Sequence, residues 1–172
     1  MGTGISFRRE GLLGYHPFST AILKGIVAEK SFLDRAAEYA YSQLERVGGN
    51  VSKLDLPLQT VAILYSVQAI IDNGGFRYLF ENQFPFAPAY STFSSAYRRI
   101  GSVQNAERLD KAVALFPFDD PHLHEDERLV FMDSLEENAE LFELGNQVCG
   151  DESVWAALED YAQKNSATFR VM

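Results

Sequence analysis

Several ingredients are scarce in this 172-residue sequence, and each scarcity removes a class of function. There is one cysteine, Cys149, so no internal disulfide can form. No Cys/His spacing suits structural zinc either, and a reducing, cytoplasmic setting is expected. No apolar run approaches the roughly 18 residues of a membrane span. The opening "MGTGISFRRE" lacks the apolar core of a secretory signal, which points the same way. Positive charge is also short, with 15 Lys and Arg against 24 Asp and Glu and a net charge of −9. Its distribution is uneven: the stretch up to Leu115 carries 12 bases and 10 acids, whereas 116–172 carries 3 bases and 14 acids. A surface that neutralises nucleic-acid phosphates needs clustered Lys and Arg, so direct nucleic-acid binding is disfavoured. The acidic C-terminal third would attract a basic protein instead.

What is present reads as helix. Apolar residues make up 47% and charged ones 23%, the balance of an ordinary globular domain, and 1–172 is read as one unit. In "SFLDRAAEYAYSQLERVGG", Ser31 and Asp34 suit a capping arrangement and Gly48-Gly49 a stop. Pro57 suits a first helical turn, and 57–72 is apolar on nearly every face, marking the central helix. "FRYLFENQ" predicts a short helix, and Pro85 and Pro88 hold a loop. Ser91 and Ser102 are candidate caps for the next two helices, with Glu107 and Lys111 an i,i+4 pair in the second. After an irregular Pro121–His124 segment, a helix is expected from Glu125. The periodicity of "LEENAELFEL" predicts another, with Leu135, Ala139 and Phe142 inward and Asp133, Glu136, Glu137, Glu140 and Glu143 in an outward acidic row. "ESVWAALEDYAQ" predicts the last. "TAILKGIVA" near the start also reads as helix, and no alternating strand pattern persists. The fold expected is all-α, roughly seven to nine helices around the central one.

Chemistry finds few footholds. Gly74-Gly75 in "IIDNGGFRYLFENQ" follows a helix, lacks the further Gly, or Lys and Ser/Thr, of nucleotide cradles, and has no alternating strands for a hairpin. A helix stop remains, with Asn73 or Gly74 in the left-handed conformation and Gly75 freeing the chain to turn. His122, His124, Asp119, Asp120 and Glu125 read as a solvated loop, since His-x-His is isolated and no third ligand sits at telling spacing. Cys149 has acidic neighbours, which oppose a reactive thiolate. No catalytic residue, metal or cofactor is expected.

The segments "YSVQAIIDNGGFRYLFENQ", "AYRRIGS", "AERLDKAVALFP" and "LEDYAQKNSATF" resemble those of the DNA-mimic-protein-like domain family over about 56–169. The positions carrying the resemblance are Asn73, Gly74, Gly75, Phe76, Tyr78, Asn82, Ile100, Gly101, Tyr161, Asn165 and Phe169. The resemblance implies an all-helical bacterial cytosolic protein that binds a transcription regulator in place of DNA and associates as a dimer. The residues expected to meet such a basic partner are Asp119, Asp120, Glu125, Asp126, Glu127, Asp133, Glu136, Glu137, Glu140 and Glu143. Two alternatives stay open. One is a small-molecule binder or hydrolase using Gln68, Asn73 and Asn82 in a pocket at the Asn73–Asn82 junction. The other is an immunity or antitoxin protein using the same acidic face.

Overall fold

A computed structural model describes residues 30–169. The "TAILKGIVA" segment therefore lies outside the described residues. Among the described residues eight α-helices follow one another: α1 (Phe32–Arg46), α2 (Leu56–Glu81), α3 (Tyr90–Arg99), α4 (Val103–Val113), α5 (Glu125–Ser134), α6 (Glu140–Asn146), α7 (Glu152–Lys164) and α8 (Ser166–Phe169), with one 3-10 turn at Val51–Lys53. No strand occurs among the described residues. The all-α expectation holds, and its cause is the sequence period: α2 is buried almost all round, as its apolar composition requires.

Local signals place the helix ends. The Ser31 side chain accepts from the Asp34 N–H while Asp34 accepts from the Ser31 N–H, completing a capping box. Ser31→Ala is expected to cost about 1 kcal/mol. Thermal denaturation should show it as a fall of about 2–4 °C in Tm. At the end of α3 the Ser102 N–H reaches Tyr97 O and the Gly101 N–H reaches Arg98 O, the paired bonds of a Schellman motif. Other expectations need correction. Helix α3 starts at Tyr90 behind Ala89, one residue ahead of the Ser91 cap, and Ser102 occupies its cap position without a side-chain bond. Lys111 meets Glu140 at 2.6 Å rather than Glu107, which ties α4 to α6.

At the Asn-Gly-Gly-Phe junction the helical torsions of α2 break off, as the expected stop and turn require, and two helical segments meet at a kink. Gly74 has φ −179° and ψ 27°, and Gly75 has φ 61° and ψ −156°, so the positive φ falls on Gly75 and not on Asn73 or Gly74. That combination is essentially restricted to glycine. Gly74 is required for another reason: a Cβ there would lie 2.3 Å from Cγ of Tyr78, whose ring sits over it. The bend lets Gly145 of α6 pack directly on the Phe76 backbone, where a Cβ on Gly145 would come within 2.4 Å of the Phe76 nitrogen.

Just before the bend, a polar network joins α2 to its neighbours. The Tyr97 hydroxyl donates to Gln68 Oε1 at 2.7 Å, and Gln68 Nε2 donates to Asp72 Oδ1 at 2.7 Å and Val148 O at 3.1 Å. Asp72 also accepts from the Gly150 N–H at 2.8 Å and Trp155 Nε1 at 2.9 Å. Burial of Tyr97 pushes its hydroxyl pKa up, so it stays a donor at neutral pH.

Candidate functional site

The acidic residues singled out by sequence lie on the 119–120 loop, α5, the 135–139 connection and α6. All ten are exposed except Glu125, which is half-buried. Among the described residues, Glu140 is the only one of the ten to form an ion pair with a Lys or Arg. Glu125 accepts from Gln83 Nε2 at 2.6 Å, and Glu127 lies 3.9 Å from His124 Nδ1. Glu125, Asp126 and Glu127 form the first turn of α5, where exposed peptide N–H groups favour negative charge. Asp133 has no such support, since it lies in the last turn of α5, where the dipole opposes an anion and no base compensates. Glu136 and Glu137 occupy the connection.

That connection corrects the expected continuous acidic helix. Leu135 is extended, with φ −80° and ψ 137°, the chain turns through Glu136–Asn138, and α6 starts only at Glu140. The buried face of α6 is Leu141, Leu144 and Gly145, with Phe142 half-buried against the core beside it. The five carboxylates from Asp133 to Glu143 thus belong to the end of one helix, a turn and the start of another. They do not make a straight row.

Apolar groups interrupt this acidic surface. Val130 of α5 is 71% exposed, and it borders an open groove of about 450 Å³ with Phe118, Phe131, Asp126 and Glu127. The signal for it was present in "EDERLVFMDS", where Val130 stands four residues after Asp126 and three before Asp133, on the polar side of the helix.

A second concavity, of about 460 Å³, separates the 82–90 segment from 121–128. Phe86 and Leu123, 65% and 61% exposed, border it. Beneath it Arg128, the one base between Asp119 and Asp160, is buried and donates to Phe80 O at 2.6 Å, Pro121 O at 2.8 Å and Asn82 O at 3.4 Å. It closes the C-terminal end of α2 by satisfying carbonyls that the helix leaves open. The backbone around the cleft is strained, with positive φ at Phe86 (63°), Ala87 (40°) and Asp120 (50°), each costing on the order of 1–3 kcal/mol. Sequence reasoning missed Arg128, Tyr90 and Phe86 because backbone carbonyls and loop torsions leave no residue pattern.

The pocket expected at the Asn73–Asn82 junction is not what these amides form. Gln68 is engaged by Tyr97, Asp72 and Val148, Asn73 Nδ2 donates to Ala69 O at 2.6 Å, and Asn82 Nδ2 donates to Tyr78 O at 2.7 Å. Asn82 lines the edge of the displaced cleft. Other positions of the resemblance lie in the core or at helix ends. Phe76 and Phe169 are fully buried, Asn165 Nδ2 donates to Tyr161 O at 2.8 Å at the end of α7, and Tyr161 lies 3.4 Å from Thr60 Oγ1. No helix among the described residues is long and apolar enough to cross a membrane.

A family model described as DMP19-like protein matches residues 52–165, most of the chain. No curated protein and no solved structure matches.

Proposed function

We propose that this chain, which belongs to the DMP19-like protein family, is a non-enzymatic interaction protein that presents carboxylates to a basic protein surface, such as the DNA-contacting face of a transcription regulator. The observation that carries the reading is the lack of compensation: of the ten singled-out acids only Glu140 meets a Lys or Arg among the described residues, although like charges at helical spacing cost stability. Acids at a helix N-terminus have a structural reason to be there, but Asp133, Glu136 and Glu137 have none, so a partner is the more economical explanation.

Duplex DNA carries one charge per roughly 1.7 Å of axis, and a protein built to bind it offers a matching set of bases. Carboxylates on a helix end, a turn and a second helix can follow a curved basic surface. Val130 would add an apolar contact within the charged field, the usual composition of an interface centre and rim. Self-association into a dimer, which the family resemblance implies, would double this acidic area.

The full chain, immobilised and exposed to bacterial lysate at low ionic strength, should retain basic DNA-binding proteins that duplex DNA and added salt release. Combining Asp133→Lys, Glu136→Lys and Glu137→Lys should weaken that capture about 100-fold. Retention that is indifferent to duplex DNA, or unchanged in the triple variant, would remove the proposal.

A further inference from the structure

The cleft between 82–90 and 121–128 has a floor that the acidic-surface reading does not use. Tyr90 is only 3% exposed and lines the cleft, yet its hydroxyl makes no hydrogen bond among the described residues. Its ring is fixed edge-on by Phe80 at 5.0 Å, Phe93 at 5.8 Å and His122 at 6.3 Å, so the hydroxyl has little freedom to seek a partner elsewhere. Tyr90 Oη is not among the sealed polar atoms left without a partner, so it opens onto the cleft as a donor available to a ligand. Burial raises its pKa to about 12, so it keeps its proton at neutral pH.

Arg128 lies at the same floor. Its guanidinium has more N–H donors than the three carbonyls it meets, and no carboxylate lies within ion-pair distance among the described residues. Such a donor fork beside a phenolic O–H fits a planar anion. The mouth adds two restrictions. Phe86 and Leu123 offer apolar walls, and Glu125, held by Gln83, opposes a second negative charge. Both favour a singly charged ligand with an apolar body.

We propose that this cleft binds a small apolar carboxylic acid as its carboxylate, held by the Tyr90 hydroxyl and the Arg128 guanidinium, with its apolar body between Phe86 and Leu123. The positive φ torsions at Phe86, Ala87 and Asp120 lie in the two segments that form these walls.

The test uses benzoate and phenylacetate as probes and inorganic phosphate as a contrasting anion, each titrated into the full chain while heteronuclear NMR follows the backbone. The carboxylates should shift resonances of 82–90 and 121–128 at millimolar concentration, and phosphate should not. Tyr90→Phe should weaken the carboxylates roughly tenfold or more, the loss expected for one hydrogen bond to a charged group, and leave Tm unchanged or raised. Leu123→Glu should weaken them independently of that hydroxyl. The inference is overturned if neither carboxylate perturbs the cleft, if Tyr90→Phe binds as well as the unaltered chain, or if phosphate binds as tightly as benzoate.

Discussion

Gly145→Ala is expected to lower the melting temperature by roughly 6–12 °C, although alanine is ordinarily the better helix former by about 1 kcal/mol. The added methyl would sit 2.4 Å from the Phe76 nitrogen and 3.0 Å from its Cβ. Neither can retreat by a rotamer change, because Phe76 is fully buried and its backbone directly follows the Gly75 torsion. Relief must come from moving α6 away from α2, which opens the contact lined by Leu141 and Leu144. Overpacking of this kind costs about 1–3 kcal/mol, and more where the obstacle is backbone. With a gross cost of about 4 kcal/mol at this backbone obstacle, about 3 kcal/mol remains net of the propensity gain. Circular dichroism melting reads the effect directly, and an unchanged or raised Tm would mean that the two helices do not touch as described.

Asp72→Ala should be comparably severe, at about 3 kcal/mol. Its carboxylate accepts from Gln68, Gly150 and Trp155, three donors on separate parts of the chain. Hydrogen bonds to a charged group contribute about 1.5–3 kcal/mol each, but in a shared network they do not add. Gln68 keeps Val148 O as an alternative acceptor, whereas the Trp155 indole N–H loses the acceptor it has among the described residues. Trp155 is the single tryptophan, so its emission reports the site without interference. A shift in native emission should accompany the fall in denaturation midpoint, and Asp72→Asn should recover part of both. Emission and midpoint matching those of the unaltered chain would show that the network carries no stability.

The parts of this fold that could be read from sequence are those governed by neighbours in the chain. The Ser31–Asp34 box, the glycine stop after α1 and the apolar stretch of α2 depend on spacing that a sequence displays. The break between α5 and α6 does not. "LEENAELFEL" has a sound helical period, yet on one continuous helix Leu135 and Leu141 would point about 120° apart. Breaking the chain at Leu135 allows the buried Leu141 and the half-buried Leu135 both to pack on the core. Gly145 gave no local sign of its role, because what demands a glycine there is the Phe76 backbone, far away in sequence. The acids were all identifiable, while their arrangement was not: their placement follows from where two short helices end.

The Gly75 torsion has a reach well beyond the core. It sets the aim of residues 76–82, whose final carbonyls at Phe80 and Asn82 are gripped by Arg128. Arg128 in turn belongs to α5, the bearer of Asp126, Glu127, Val130 and Asp133. One buried glycine therefore acts as the pivot of a lever whose far end is a charged exterior. A substitution near that pivot could misplace the carboxylates as a group without altering any of them, so recognition could fail in a variant whose acidic residues are all intact.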